Sequence, residues 1–464
     1  MSANGFGSAP FADNWPLLLE QAAPNGQWLV VCEARNDTNH DGQLNVNVGT
    51  RGEIRGDALE RRLLAPGGQE FAMDGLLGTD NSGRFALFVR QGALWLWDDV
   101  QRRAEDLSSL SADIRLSAES FAAVRTLSFD SSSEHLLYVR AGQQGRRLVI
   151  RTLADGSERE LDPGPGAIWR ARFDPGGAFL LLEMLEQDTN KNGRTDFPAP
   201  FLPAPRGCSP SPQRFHVWSD RGDRPEVVLL PVGGGTPIRE PGLVMPIRDA
   251  LLLRDESGAL LLERAGKRRV LAAAACSGRI VHADAERELF IVGCAQPKHT
   301  GRVSLELVTP LGQKPLGIEL SSVGYDRALS DAPRLLALYP GVETYLFDAD
   351  RHELLPLLNG DVVIATRAAR ALVRRGKTLL AYDAAQRSEI VLSEQLNRYP
   401  DVLLTPPFAF VSPLLVNLDT LTVVGVSQRR PLALSNQGQL LLGDGDPDTA
   451  RLVRGPLRWV TPGP

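Results

Sequence analysis

Two short segments carry oxygen donors at a spacing that suits a hard cation. The first reads Asp37-Thr38-Asn39-His40-Asp41-Gly42-Gln43-Leu44-Asn45, the second Asp188-Thr189-Asn190-Lys191-Asn192-Gly193-Arg194-Thr195-Asp196. Both fit D-T-N-x-[DN]-G-x-x-[ND]. Short side chains at positions 1, 3 and 5 (Asp37, Asn39 and Asp41; Asp188, Asn190 and Asn192) turn toward one point. Glycine at position 6 permits the sharp bend. The carbonyl of Gln43 or Arg194 at position 7 adds an oxygen, and Asn45 or Asp196 at position 9 adds a side chain or a held water. A cation that takes roughly six to eight oxygens needs this density of donors, so the expected cofactor is Ca2+.

The pattern resembles the first nine positions of an EF-hand calcium loop. It departs from it at position 12, where the bidentate Glu is replaced by Val48 and Ala199, and no flanking helices are evident. The loops are therefore expected as calcium sites inserted in another fold, each borrowing a carboxylate. Candidates are Glu33, Glu53 or Asp57 for the first and Glu183, Glu186 or Asp223 for the second. An Asn/Asp-Gly hairpin turn is the plain alternative for one such segment. Two copies in matching settings favour the metal. Each follows an apolar strand bearing a Glu (LVVCEA, LLLEML), and each precedes Arg-Gly-acid (Arg51-Gly52-Glu53, Arg221-Gly222-Asp223). A long blade loop has no core of its own, so the ion's expected role is structural.

The elements that must position these loops are short strands. Apolar runs of four to seven residues recur between Gly, Pro, Asp, Asn and Ser clusters, and few stretches keep helical periodicity. The runs repeat as units. One is RTLSFDSSSEHLLYVRAGQQGRRLVIRTLADGSERELDP from Arg125, which reads as four strands, and the next starts at Ala167. Others start at Thr79, Ala250, Arg279, Arg334, Asp361 and Leu421. Four-stranded units of about 40–50 residues point to a β-propeller rather than to the shorter repeats of a solenoid. The expected fold is all-β: a single propeller over residues 1–464 with about eight blades, in a range of about seven to nine. QWLVVCEAR closes the ring with the C-terminal PLRWV, or starts a ninth blade. Residues 36–57 and 187–223 are insertions, the second rich in proline from Pro198 to Pro212.

The Phe-Asp-Pro-Gly-Gly turn at 173–177, with its counterparts at 129–133 and Asp80-Asn81-Ser82-Gly83, resembles the WD40-like repeat of TolB-type β-propellers. The resemblance covers more than half of the chain. The dipeptides of true WD40 blades are absent apart from a lone Trp97-Asp98. It implies a bacterial interaction platform, since TolB-like propellers mostly bind proteins and some form the non-catalytic domain of peptidases. The expected function is thus a non-enzymatic, calcium-stabilised scaffold, a soluble monomer that binds a protein or peptide on one face of the ring. The alternative is a propeller hydrolase or lactonase with a metal-assisted site in the central channel.

Composition narrows the rest. Of 51 basic residues, five are Lys and the others Arg, a skew that reflects a GC-rich genome. A net charge of −5 leaves no broad footprint for nucleic acid, and no apolar run reaches the length of a membrane span. Arg264, Lys267, Arg268 and Arg269 read as a solvated face. None of His40, His135, His216, His282, His299 and His352 forms H-E-x-x-H or a zinc spacing with cysteine, and G-x-S-x-G, Walker and dinucleotide patterns are missing. The opening MSANGFGSAPFADNWP does not read as a secretory signal, so a cytoplasmic location is expected. Cys276 and Cys294 flank Ala285 symmetrically, and a hairpin there sets the two sulfurs face to face. In a reducing compartment they are expected as buried thiols.

The calcium reading predicts that millimolar Ca2+ raises the melting temperature and that a chelator lowers it. An unchanged melt, with no calcium found by elemental analysis, refutes it.

Overall fold

A computed structural model of the chain describes residues 17–40, 46–48, 54–65, 68–91, 93–107, 128–142, 145–174, 177–187, 226–240, 242–247, 250–273, 279–284, 287–295, 302–321, 334–338, 344–355, 357–358, 360–397, 400–427, 429–443, 452–453 and 457–463. The regular elements among them are β-strands. They form ten antiparallel sheets in chain order, plus a small ribbon of Val46–Val48 with Ile54–Gly56. The fold is a β-propeller of ten blades, which corrects the expected count of about eight.

The first blade contains Leu17–Ala22, Leu29–Glu33, Glu60–Ala65 and Gln69–Ala72. The ninth contains Val402–Thr405, Phe408–Val411, Leu414–Asn417 and Thr422–Val426. The repeat pattern offers blade one only as a strand that starts a ninth blade, and it assigns the last strand of blade nine, Thr422–Val426, to the unit from Leu421, so blade nine goes uncounted. In blade nine the prolines mask the pattern. Pro406 and Pro407 occupy the turn between its first two strands, and Pro413 the turn before the third. Proline in a turn removes no ladder hydrogen bond, so the strands persist.

Alternating side chains put apolar residues on both faces of each sheet, and each face packs on a neighbouring blade. Between blades two and three, Leu87, Leu94 and Leu96 meet Leu136, Tyr138 and Val149. Nine further apolar clusters each join two successive blades, and one of them joins the tenth to the first. The ring is therefore closed. In the closing cluster Leu17, Leu19, Leu29 and Val31 of blade one pack on Leu432, Leu441, Leu457 and Trp459.

The backbone also joins across the seam, though not through the strands expected. Leu452–Val453 adds to the first blade beside Leu17 and Leu18, so the partner of the C-terminal segment is Leu17–Ala22 and not QWLVVCEAR. The strand Arg458–Val460 from PLRWV pairs instead with Leu440–Leu442 in blade ten. A turn seals the seam, because Asn436 N donates to Pro24 O at 2.6 Å. Gly26 has φ +72°, and a Cβ there meets Ser435 at 3.3 Å and Trp459 at 3.4 Å, so glycine suits both the turn and the close approach.

The cysteines differ from expectation. Cys32 and Cys294, both buried, are each disulfide-bonded, so Cys294 is not a thiol; Cys276 lies outside the described residues.

Leu441 is fully buried in the closing cluster. Leu441→Ala is expected to cost about 2–5 kcal/mol in denaturant unfolding. A loss equal to that of an exposed leucine, such as Leu311→Ala, contradicts the assignment of this interface as the seam.

Candidate functional site

The first donor loop leaves the second strand of blade one, and the chain returns in the third strand at Glu60. Asp37 and Asn39 are described; Asp41, Gln43 and Asn45 lie outside the described residues. Asp57, a candidate borrowed carboxylate, is buried and acts as a clamp. Its Oδ1 accepts from Thr38 N at 2.6 Å, Asn39 N at 3.2 Å and Thr38 Oγ1 at 3.3 Å, while Ala58 N donates to Thr38 Oγ1 at 2.6 Å. The entrance of the loop is thereby tied to its exit. His40 follows with φ 60°, a left-handed turn in the middle of the segment.

Glu33, another candidate, is fully buried. Its Oε1 takes Arg35 and, at 3.2 Å, Arg62 Nε, while its Oε2 is buried with no hydrogen-bond partner among the described residues. Burial pushes this carboxyl up, against the opposing pull of Arg35 and Arg62. Glu33, Asp37 and Asp57 do not gather: among the described residues, the one group of three acidic, His or Cys donors close enough to share an ion is Asp130, Glu134 and His135. Glu53 lies outside the described residues.

The second loop also interrupts its blade between the second and third strands, Phe179–Leu185 and Glu226–Pro231, which pair directly. Asp188, Asn190, Asn192, Arg194 and Asp196 lie outside the described residues, as does Asp223. Of the carboxylates expected to complete the site, Glu183 sits within the second strand opposite Arg170 and Val227, and Glu186 is ion-paired with Arg239.

Asp130, Glu134 and His135 form a turn and not a binding constellation. Asp130 Oδ1 accepts from Glu134 N at 2.8 Å and His135 N at 2.9 Å, and Oδ2 takes Ser132 Oγ at 2.7 Å and His135 Nδ1 at 2.9 Å. Burial alone raises this carboxyl, but these donors outweigh it and hold it below the usual range. The same clamp recurs where Phe85 N donates to Asp80 Oδ1 at 2.7 Å and Phe179 N to Asp174 Oδ1 at 2.6 Å. Gly83, Ser133 and Gly177 take the left-handed position three residues after each aspartate. The repeated turn of the sequence is thus a buried carboxylate holding a tight hairpin.

A second repeated turn carries no obvious signature in the sequence. Asp98, Asp348, Asp383 and Asn417 each cap a hairpin by accepting from the backbone N–H groups two and three residues on, at 2.8–3.3 Å. The residue four on, Arg102, His352, Arg387 or Leu421, has positive φ. The Asp or Asn is a signal, but the residue at the left-handed position varies too freely to complete a motif.

Exposed apolar side chains are concentrated in one arc. Among the described residues, eleven large apolar side chains stand exposed, and seven of them lie between positions 390 and 426. Ile390 and Val391 are on the last strand of blade eight, Ser388–Ser393. Val402 and Leu404 are on the first strand of blade nine, and Val423, Val424 and Val426 on its last. Other last strands are charged, as in Arg103–Asp106 (RAED), Glu158–Leu161 (EREL) and Lys267–Ala272 (KRRVLA). In the last of these, Arg268 is ion-paired with Glu263 and Glu240, which fits the solvated face expected there.

No protein-family model and no curated protein sequence matches the chain. Solved structures similar to it include dipeptidyl peptidase 4 from Porphyromonas gingivalis, at 11% identity over 78% of this chain and 57% of that one, with a TM-score of 0.41. TolB from Acinetobacter baumannii is similar at 11% identity over 67% of this chain and 65% of that one, with a TM-score of 0.25. An acylaminoacyl peptidase from Pyrococcus horikoshii is similar at 10% identity over 82% and 53%, with a TM-score of 0.32. The chain spans less than two thirds of the length of each.

His282 belongs to no motif. It lies at a bulge in the first strand of blade six, is 3% exposed, and neither ring nitrogen has a hydrogen-bond partner among the described residues. Burial pushes its pKa below the ordinary value, against the pull of Asp284. The folded state therefore keeps it neutral while the unfolded chain takes a proton near pH ~6.5, so stability is present above that pH and is lost as pH falls. His282→Phe is expected to flatten the decline in unfolding free energy between about pH 7 and 5.5, by up to about 1.4 kcal/mol per pH unit. Parallel slopes for the two proteins contradict this.

Proposed function

We propose that the protein is a non-enzymatic binding platform that takes an extended polypeptide segment along the apolar last strands of blades eight and nine. The observation that carries this reading is the concentration of exposed β-branched side chains on Ser388–Ser393 and Thr422–Val426. A strand at the border of a sheet presents unpaired backbone groups to a partner, and proteins commonly guard such borders with charge. Leaving these two apolar fits recruitment by strand addition, in which main-chain bonds give affinity and alternate side chains give selectivity. The end of Thr422–Val426 already pairs with extended backbone: Val426 N donates to Gly463 O at 3.1 Å.

Ca2+ in the two insertions belongs to the same proposal. Asp37, Asn39, Asp41, the Gln43 carbonyl and Asn45 would hold one ion, and Asp188, Asn190, Asn192, the Arg194 carbonyl and Asp196 a second. The Asp57 clamp supports the first, because a loop closed at its base loses less entropy when it wraps an ion. The hydrolase alternative gains nothing from Asp130 and His135, which bond to each other within their own turn.

Selection of a displayed library of random peptides on the full chain is expected to enrich extended sequences with alternating apolar residues. Val391→Lys combined with Val424→Lys should weaken the enriched peptides roughly tenfold or more. No enrichment, or binding indifferent to the two lysines, overturns the platform reading.

A further inference from the structure

We infer that the chain matures in an oxidising compartment, where two disulfides, Cys276–Cys294 and Cys32–Cys208, form. This inference stands apart from the binding reading. Four cysteines are present, and the two described ones, Cys32 and Cys294, are both disulfide-bonded. They are not bonded to each other. Cys32 lies on the second strand of blade one and Cys294 on the second strand of blade six, half a ring of ten apart. A disulfide needs Cα atoms within about 7 Å. Each bond therefore reaches one of the two remaining cysteines.

The sheet of blade six decides which. Arg279, three residues after Cys276, pairs with Gly293, the neighbour of Cys294. Three residues of chain span at most about 10 Å, so Cys276 is within range of Cys294 and far out of range of blade one. Cys208 is left for Cys32. That bond links blade one, five residues before Asp37, to the insertion after Phe179–Leu185, twelve residues beyond Asp196. It joins the stretches of chain that carry the two donor loops.

Each bond forms when two thiols give up two protons and two electrons. The electrons pass by thiol–disulfide exchange to an oxidised dithiol carrier, whose own disulfide becomes two thiols. A cytosolic thiol pool drives that exchange backward, so two disulfides fit a compartment outside it.

The test traps the native protein by alkylation in denaturant at the moment its own cells are lysed, without reductant. None of the four cysteines should be alkylated, and all four should be after reduction. Peptide mapping of the unreduced protein should join Cys276 to Cys294 and Cys32 to Cys208. Four alkylated thiols before reduction overturn the compartment and the bonds together. A cross-link of Cys32 to Cys276 overturns the pairing.

Discussion

The structure depends on one contact, the packing of the first blade on the tenth. Every other blade interface joins neighbours in sequence, and the loop between them keeps the two faces close whether or not they are folded. The seam must bring together residues from the two ends of the ring, Leu17 and Leu19 against Leu441 and Trp459. Loop-closure entropy opposes this, although it grows only slowly with length. The chain answers with a buried apolar cluster, a two-residue strand exchange at Leu17 and Leu18, and a backbone bond from Asn436 to Pro24. Without the seam, blades one and ten each present an apolar face to water.

Much of this was legible from residue pattern. The all-β class, the four-stranded unit and the placing of both donor loops after a second strand follow from alternation and turn residues. The Asp-containing turn was visible because its third position is constrained: Gly83 and Gly177 supply the left-handed conformation that Ser133 adopts at higher cost. Blade number was less legible. The strands of Val402–Val426 are hard to read because Pro406, Pro407 and Pro413 interrupt an apolar run, whereas the backbone uses them as turns. A linear pattern does not say which side of a strand boundary a proline occupies.

The candidate site was legible in its donors and not in its supports. Asp37 and Asn39 advertise themselves by spacing. Asp57 stands out only as one of three carboxylates offered to complete the loop; its work, accepting from the backbone N–H groups of Thr38 and Asn39 far upstream, is hidden by the length of chain between them. The burial of His282 and the apolar arc of blades eight and nine were hidden for a related reason. Burial and exposure arise from which blade lies beside which, and neighbouring letters do not record that. The disulfides of Cys32 and Cys294 show the same limit: the symmetry of Cys276 and Cys294 about Ala285 raises the question of a bond, but spacing alone does not say whether thiols or a disulfide stand there.

Ten apolar interfaces arranged head to tail have no privileged starting point. The chain crosses the seam in blade one, where Leu452–Val453 lies beside Leu17–Ala22. Linking the segment that follows Arg458–Val460 to Leu17–Ala22, and opening the chain between two other blades, would leave all ten interfaces in place. A ring of this kind is a ready substrate for circular permutation. The register of the gene along the circle is then a free choice, and the short apolar arc of blades eight and nine gives the rim a direction.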